Sequence, residues 1–373
     1  SKPIWVHAVS VGEVITAVPF IREIKARHPS LRIVLSTVTD TGQQVAEEQV
    51  SEMADIVYLP FDLAGIFRRV FRNMRPVLFI AVETELWPNI FRTCSTEGIP
   101  VIVVNGRVSD DSFKGYKRIR FFIQHVLRCV DLFCMQDTLY AERIEALGAS
   151  RDKVRVTGNF KFDTKPPEKL PEWAGLLRGT VILAGSTHEG EEELMVSVFG
   201  NLKDDFPDLN LILAPRHPER FGRVEAMVKA KGFECVRRSD IPSRGQERTM
   251  LTGRIILLDT IGELAAVYGV SDISVIGGSF VQHGGQNPLE PAFWGKPVVC
   301  GPHMENFPFI QEFYSVSGAV NTDAEGLLEV LRELLRSPGK RKILGERARS
   351  LYRDKAGAVR RTADALEGYL KLQ

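Results

Sequence analysis

Short runs of β-branched and other apolar residues alternate with helix-length amphipathic segments along the whole chain. In the first half the predicted strands are "IWVHAV", "RIVLST", "DIVYLP", "PVLFIAV", "VIVVN", "DLFCMQ" and "VRVTG". In the second half they are "TVILAG", "LNLILAP", "FECVRR", "RIILLD", "ISVIGG" and "PVVCG". Near-continuous apolar strands separated by helices are typical of parallel sheets that helices cover on both faces. The pattern therefore predicts an α/β fold with doubly wound sheets.

Two series of strands indicate two domains, as does the length of 373 residues, which exceeds what one core usually supports. Between the series lies "FDTKPPEKLPEW", which is rich in proline and charge and predicts a linker over 163–175. We expect Rossmann-like domains over 1–162 and 176–350, and a C-terminal helix over 351–373 that can pack back on the first domain. Because such domains bind ligands beyond the carboxyl ends of their strands, we expect them to face one another across a cleft.

Composition and charge exclude several classes of protein. Apolar residues make up 44% of the chain and charged residues 25%, with a net charge of +1, so nothing in the overall charge indicates a nucleic-acid partner. The distribution is less even, since residues 66–128 hold eleven Lys or Arg against five Asp or Glu. The five cysteines form no C-x-x-C pair, which argues against a zinc site or a redox dithiol.

The chain contains no run of 18 apolar residues, so no segment of it is predicted to span a bilayer. It begins without a methionine and enters a strand at once. We therefore expect further residues before Ser1 in the natural protein.

One acidic residue, Glu13, follows the first predicted strand in "HAVSVGE". Ser10 and Gly12 precede it and leave backbone space for an approaching molecule. Glu13 is a candidate general base, because a carboxylate in a cleft can take a proton from a substrate hydroxyl. The alternative is a carboxylate that only stabilises the start of a helix.

A second acid, Glu85, follows the strand "VLFIAV" in "VETELWPN" and should lie at the same end of the sheet. It is a candidate for acceptor binding or for support of the site, and Glu83 is a rival for this role. Lys161 in "NFKFD" precedes the linker and is placed in the cleft or at its rim.

The second half carries polar clusters at its strand ends. In "AGSTHEGEEE", Ser186 and Thr187 precede an acidic helix start, which suits an anion at a helix N-terminus or a simple N-cap. In "LILAPRHPER", Arg216 and His217 follow an apolar strand. A guanidinium fixed there suits bidentate binding of phosphate or carboxylate, and an exposed loop with incidental charge is the alternative.

The densest cluster combines "GGSF" with "GGQNPLEP". Gly277 and Gly278 allow close backbone approach at a strand end, and Ser279 adds a donor. Asn287 and Glu290 are three residues apart, which places both on one face of a starting helix. A carboxylate in that position can accept two hydrogen bonds from a ribose diol, which predicts a nucleotide site.

These motifs, together with "AVSVGE", "ETELWPN", "NGRVSD", "VTGNFKFD", "GSTHEGEE", "APRHPER" and "WGKPVVCGPHMENF", occur in order over nearly the whole chain. The sequence resembles the GT-B glycosyltransferases, and in particular the 3-deoxy-D-manno-oct-2-ulosonic acid (Kdo) transferases. It departs from that family at Gln286, where the family usually has histidine.

The resemblance implies an inverting transferase of lipopolysaccharide biosynthesis that moves Kdo from CMP-Kdo to lipid A or its tetraacylated precursor. It implies that Glu13 acts as the base, and that Arg216, the segment after Ser186, and the pair Asn287 and Glu290 bind the donor. It also implies a protein without metal or other cofactor, placed at the cytoplasmic face of the inner membrane by an N-terminal anchor. The number of Kdo residues transferred, the acyl-chain preference and the oligomeric state stay open.

Two basic, aromatic segments in the first domain are candidates for contact with an anionic membrane surface. In "IFRRVFRNMR" the cations are Arg68, Arg69, Arg72 and Arg75, and in "FKGYKRIRFF" they are Lys114, Lys117, Arg118 and Arg120. Both segments could present aromatic rings to the interface, or the cations could simply be solvated.

Fold alone does not exclude other functions. The rivals are another GT-B enzyme, such as a UDP-sugar transferase or a nucleotide-sugar 2-epimerase, and a noncatalytic protein that binds nucleotides or a membrane surface. Stabilisation by CMP but not by UDP would separate the first rival, and retention of Glu13 and Glu85 argues against the second.

Overall fold

A computed structural model describes residues 2–164, 166–241 and 250–370 of the chain. The chain divides into two compact units, of which the first comprises Ser1–Thr164 with Lys355–Gln373 and the second Lys165–Asp354. The last three residues of the predicted C-terminal helix lie outside the described residues.

Each unit is built on one parallel sheet of seven strands in its described part. The strands of the first unit are β1 (Ile4–His7), β2 (Ile33–Thr37), β3 (Asp55–Tyr58), β4 (Leu78–Val82), β5 (Val101–Gly106), β6 (Leu132–Met135) and β7 (Val154–Val156). Those of the second are β8 (Val181–Thr187), β9 (Asn210–Pro215), β10 (Cys235–Arg237), β11 (Ile255–Leu257), β12 (Ile273–Ile276), β13 (Val298–Cys300) and β14 (Ala319–Asn321). The predicted parallel α/β architecture is confirmed, although the short strand β14 was missed by the sequence pattern.

Helices connect the strands and cover the sheets. In chain order they are α1 (Val11–Arg27), α2 (Asp40–Val50), α3 (Ala64–Met74), α4 (Pro88–Thr96), α5 (Asp110–Arg118), α6 (Arg120–Arg128), α7 (Thr138–Leu147), α8 (Glu191–Lys203), α9 (Phe221–Ala230), α10 (Leu264–Val267), α11 (Leu289–Phe293), α12 (Ile310–Ser315), α13 (Leu327–Arg336), α14 (Pro338–Lys355) and α15 (Ala358–Leu370). Short 3₁₀ turns fill several of the remaining connections.

The strand order fixes where each unit can bind a ligand. It is β3-β2-β1-β4-β5-β6-β7 in the first sheet and β10-β11-β9-β8-β12-β13-β14 in the second. The order reverses direction between β1 and β4, and again between β8 and β12. Doubly wound sheets bind ligands at the carboxyl ends of the strands that flank such a reversal. The sequence places Glu13 and Glu85 at the first reversal, and Ser186 with Gly277 at the second.

Apolar side chains fill both faces of the first sheet. On one face α1, α2 and α15 contribute to a core that includes Val6, Phe20 and Leu366. On the other face Trp5 packs edge-on against Phe79, with ring centroids 5.5 Å apart, among side chains from α3, α4, α6 and α7. Burial on both faces explains why the strands of this sheet are apolar throughout rather than alternating.

Two boundaries differ from the sequence prediction. The second unit begins at residue 165, and Trp173 of the predicted linker is buried in its core together with Leu176, because their apolar side chains pack against the second sheet. The break before the last helix falls at Gly357, whose φ of 87° ends α14, and not at residue 350. α15 then packs against α1 within the first unit.

The start of α15 is held by a single carboxylate. Asp163 accepts hydrogen bonds from the backbone N–H groups of Gly357 at 2.5 Å and Val359 at 2.6 Å. Free N–H groups at a helix N-terminus are costly when no acceptor reaches them.

We expect Asp163→Ala to lower the free energy of unfolding by about 2 kcal/mol, because two backbone donors lose a charged acceptor. Chemical denaturation measures this change. The control is Asp111→Ala, whose side chain is 99% exposed, and which should change stability by less than about 0.5 kcal/mol. Equal effects of the two substitutions would contradict the assigned role of Asp163.

Candidate active site

Glu13 lies in the first turn of α1, directly after the carboxyl end of β1. Its Oε2 accepts a hydrogen bond from the backbone N–H of Val9 at 2.7 Å, and its Oε1 accepts one from the hydroxyl of Ser10 at 3.1 Å. Ser10 is the N-cap residue, and its Oγ in turn accepts from the N–H of Glu13. This reciprocal arrangement resembles a capping box, with the N–H of Val9 in the place of the N–H of the N-cap residue. Glu13 therefore does stabilise the start of the helix, which was the alternative to a role as general base. Any role as a base must be compatible with these hydrogen bonds.

The surroundings of Glu13 disfavour its charge. The residue is only 9% exposed. Burial raises the pKa of Glu13 to about 7, with the carboxylates of Glu83 and Glu85 acting in the same direction and the hydrogen bond from Val9 opposing them. A carboxyl group with a near-neutral pKa can accept a proton during a reaction and release it afterwards.

Glu83 and Glu85 follow β4 and belong to the same electrostatic group. Burial raises the pKa of both, and the charge of Glu83 raises the pKa of Glu85 further. Lys161 and Arg107 limit the rise at Glu83. Glu83 has a φ of 59°, and its backbone N–H donates to the carbonyl of Val104 at 2.9 Å, so the chain turns sharply here. Glu83, Glu85 and Lys161 thus interact electrostatically at the same edge of the first sheet as Glu13.

Buried donors without a partner cluster near these acids. Within the described residues, the buried atoms Trp87 Nε1, Asn105 Nδ2 and Arg107 Nε make no hydrogen bond. His7 Nε2 has no partner either, but it is an acceptor: burial lowers the pKa of His7 to about 4, and the one proton of the neutral ring is on Nδ1, which donates to the carbonyl of Ser36 at 3.2 Å. Unsatisfied donors are rare in protein interiors and suit a ligand rich in oxygen. Asn105 and Arg107 belong to the "NGRVSD" motif, and the sequence alone predicts no role for either side chain.

The two basic segments differ from one another. In α3, Arg68, Arg69 and Arg72 are exposed, but Phe67 and Phe71 are buried in the core. The prediction that this segment presents aromatic rings to an interface is therefore wrong, because its rings pack against Trp5.

The segment at α5 and α6 does expose apolar groups. Ile119 and Phe121 are 51% and 81% exposed, and Phe122 is exposed as well. Lys117, Arg118 and Arg120 are exposed beside them in the chain. We call these six residues the basic apolar patch.

In the second unit, Glu191 organises the carboxyl ends of β8 and β12. Its Oε2 accepts from the N–H groups of His188 at 2.8 Å and Gly278 at 2.7 Å, and its Oε1 accepts from Phe280 at 2.9 Å. The N-cap of α8 is Gly190. The alternative of an N-cap by Ser186 or Thr187 is thus wrong, and the N–H of Gly278 is already used by Glu191.

Two predicted donors are also occupied. Thr187 is buried and donates its hydroxyl proton to Glu192 at 2.8 Å. Ser279 is buried, donates to the carbonyl of Ile276 at 2.5 Å and accepts from the N–H of Gly301 at 2.8 Å. These hydroxyls hold loops in place and offer no free donor, which corrects the prediction for both residues.

The glycines and Ser186 shape the backbone at this reversal. Ser186 has a φ of 55° and Gly278 a φ of 66°. A Cβ atom on Gly277 would lie 2.3 Å from the carbonyl oxygen of Ser186, a distance that no side chain tolerates. Gly277 therefore permits the close approach of the ends of β8 and β12.

Asn287 and Glu290 come together as the sequence spacing predicts. Asn287 caps its own turn by accepting from the N–H of Leu289 at 3.1 Å. Burial raises the pKa of Glu290 to about 7, while a hydrogen bond from Asn287 and the charge of Arg216 oppose the rise. Arg216 itself is exposed and forms no ion pair within the part of the chain that the structure describes.

Three histidine rings meet beside Arg216. The ring of His188 stacks on that of His283 with centroids 4.1 Å apart, and its centroid lies 5.6 Å from that of His217. Sequence reasoning identified His217 alone. The positions of His188, directly after β8, and of His283, before the "GGQN" turn, could have predicted the other two rings, because side chains at such positions reach the carboxyl edge of the sheet.

Comparison with known proteins identifies the family. A family described as "3-Deoxy-D-manno-octulosonic-acid transferase (kdotransferase)" matches residues 1–164. The 3-deoxy-D-manno-octulosonic acid transferase of Haemophilus influenzae is 36% identical over 99% of this chain and 87% of that protein. The enzyme of the same name from Bordetella pertussis is 32% identical over 99% of this chain and 88% of that protein.

The chain belongs to the Kdo transferase family. The resemblance found in the sequence motifs is thereby confirmed, and the chain is a glycosyltransferase. The rival assignment to a noncatalytic protein loses its support.

Solved structures confirm the GT-B fold class of this Kdo transferase family member. The crystal structure of UDP-GlcNAc 2-epimerase from Neisseria meningitidis bound to UDP-GlcNAc matches with a TM-score of 0.64, covering 99% of this chain and 100% of that chain. The sequences are only 13% identical, so this likeness concerns the fold alone.

Two features of the described residues complete the account of the Kdo transferase chain. None of their helices combines the length and the apolar character needed to cross a membrane. Residues 2–164, 166–241 and 250–370 contain no group of three or more His, Cys, Asp or Glu side chains arranged to hold a metal ion.

The raised pKa of Glu13 predicts a pH effect on stability. Its folded pKa of about 7 lies above the ordinary value of 4.5, so between these values the folded protein binds more protons than the unfolded chain. The free energy of unfolding must then fall as pH rises through this range. We expect Glu13→Gln, which keeps a capping-box residue, to gain on the order of 3 kcal/mol relative to the parent between about pH 4 and about pH 8.

Denaturation curves at a series of pH values measure this difference. The exposed Glu52 gives the matched control, because Glu52→Gln should show no such trend. A constant difference between Glu13→Gln and the parent across the range would show that Glu13 titrates normally.

Proposed function

We propose that this Kdo transferase moves Kdo from CMP-Kdo to lipid A or its tetraacylated precursor, with inversion at the anomeric carbon. The observation that carries the proposal is the buried Glu13 carboxyl group, with its pKa raised to about 7, at the strand reversal of the first sheet. Family membership supports Kdo as the sugar, and the sequence resemblance supports the donor and acceptor.

The chemistry requires one base. The acceptor hydroxyl oxygen attacks the anomeric carbon of Kdo, the bond from that carbon to the phosphate oxygen breaks, and CMP leaves with the bonding electrons. The proton of the acceptor hydroxyl passes to the carboxylate of Glu13. Inversion follows because attack and departure take place on opposite faces of the sugar. Glu83 and Glu85 keep the pKa of the base high and, with Lys161, provide polar groups for the acceptor.

On the donor side, Glu290 and Asn287 hold the ribose, since their carboxylate and amide can bond a diol. Arg216 and His217 hold the phosphate or the sugar carboxylate, because an exposed guanidinium that forms no ion pair among the described residues suits an anion. A monophosphate leaves as a stabilised anion, so we expect the reaction to need no metal ion or other cofactor.

We expect Glu13→Gln to lower kcat by about 100- to 10,000-fold, because the amide cannot accept the proton. The assay incubates the protein with CMP-Kdo and lipid A precursor and detects each added Kdo as a fixed mass step. CMP binding, measured by calorimetry, should be unchanged in the variant, and Glu52→Gln should transfer at the parental rate.

Full transfer by Glu13→Gln would refute the assignment of the base. Binding of UDP in place of CMP by the unaltered protein would refute the assignment of the donor. If the protein binds CMP but forms no product with lipid A precursor, the assignment of the acceptor is refuted.

We also propose that the basic apolar patch brings the enzyme to an anionic membrane surface at the cytoplasmic side of the inner membrane, where such an acceptor is embedded. The exposed Phe121 and Ile119 can enter the interface while Arg118 and Arg120 meet anionic head groups. The cations of α3, Arg68, Arg69 and Arg72, add charge without apolar contact.

We expect Phe121→Ser to weaken binding to vesicles of anionic phospholipid by about 10- to 150-fold, because burying a phenyl ring contributes about 1.5–3 kcal/mol. Sedimentation with the vesicles measures the bound fraction. Ile261, 83% exposed in the second unit, supplies the control Ile261→Ser, which should leave binding unchanged. An equal loss in both variants would contradict a specific role for the patch.

A further inference from the structure

The side chain of Gln286 contacts the ring of His188 across the turn that follows β12. The amide Nε2 of Gln286 lies 3.1 Å from Nε2 of His188. An amide NH₂ group can only donate, so the ring nitrogen that faces it must be the acceptor. A neutral imidazole carries one proton, which is then on Nδ1.

His188 is held on every side. It is 8% exposed, and its ring stacks on that of His283. Its backbone N–H donates to Glu191 at 2.8 Å. Burial lowers the pKa of His188 to about 4, and electrostatic repulsion from His283 and His217 adds to the effect. The ring is therefore neutral at physiological pH.

The remaining ring nitrogen is free to act. Nδ1 of His188 has no hydrogen-bond partner in the described residues. It is not one of the fully buried polar atoms that lack a partner there, so it is not completely enclosed. It lies at the carboxyl end of β8, where the strand order of the second sheet reverses. The charges of Arg216 and Arg220 reach the same ring. An N–H donor and a neighbouring guanidinium are both suited to bind an anionic oxygen.

We propose that Gln286 is a positioning residue that holds the neutral His188 ring with its proton on Nδ1, so that His188 donates a hydrogen bond to an anionic oxygen of the nucleotide-sugar donor. The proposal rests on the proposed function for the identity of that donor. The tautomer of the ring in the protein without ligand does not depend on it.

The first test is the tautomer. Nitrogen NMR of the histidine side chains in the full chain distinguishes a protonated Nδ1 from a protonated Nε2, and the His188 signal is assigned by its loss in His188→Asn. We expect the proton on Nδ1. A proton on Nε2 would overturn the proposal, because Gln286 would then be accepting through its oxygen.

The second test removes the amide without adding charge. In Gln286→Leu we expect the proton to move toward Nε2 and the dissociation constant for CMP to rise about tenfold, as for a lost hydrogen bond to a charged group. Gln282 is exposed in the same turn, so Gln282→Leu is the matched control and should change neither quantity.

The outcomes separate the two ideas. An unchanged affinity for CMP in Gln286→Leu, or an equal loss in Gln282→Leu, would overturn the role of Gln286. If the unaltered protein fails to bind CMP while its His188 tautomer is the expected one, the proposed donor is wrong and the positioning of the ring by Gln286 stands.

Discussion

The cost of burying a carboxylate is the physical constraint on which this account depends. At the reversal of the first sheet, three partly or fully buried glutamates share an edge. The charges of Glu83 and Glu85 raise the cost of charging Glu13, and the charge of Glu83 raises that of Glu85. Glu13 receives one backbone N–H and one hydroxyl in return, from Val9 and Ser10. That is enough to fix the position of the carboxyl group and too little to hold its pKa at the ordinary value.

The second unit contains a buried glutamate with more backbone donors. Glu191 also follows a strand of its sheet and also opens a helix, but it accepts from three backbone N–H groups, of His188, Gly278 and Phe280. Its three donors tie two strand ends together. Burial raises the pKa of Glu191 as well, but the residue is only 2% exposed and offers a substrate little access. The same residue type at equivalent places in two sheets is thus a candidate base in one and a structural support in the other.

The sequence predicted those features that depend on chain direction and local spacing. The direction of the buried parallel strands places Glu13, Glu85 and Arg216 at the carboxyl edges of the sheets, whatever the detailed packing of the helices. The spacing of three residues brings the side chain of Asn287 to that of Glu290. Periodicity and motif order therefore sufficed for the fold class and for the family.

Much of what the sequence did not predict depends on contacts between distant segments. His188 and His283 are far apart in the chain and meet only because β8 and β12 are neighbours. Thr187 and Ser279 were predicted to be free donors, but acceptors five and three residues away in the chain, Glu192 and Ile276, occupy their hydroxyl protons, and the local fold that brings them together was not predicted. Likewise Phe67 could not be assigned to the core until α3 was placed against Trp5.

Direct titration of the Glu13 carboxyl group tests the central claim most closely. With the glutamate side-chain carboxyl carbons labelled, and the Glu13 signal assigned by its absence in Glu13→Gln, carbon NMR follows its protonation against pH. The account predicts a midpoint near the value of about 7 that burial imposes. A midpoint near the ordinary 4.5 would show that water or other donors already stabilise the charge, and would contradict the account.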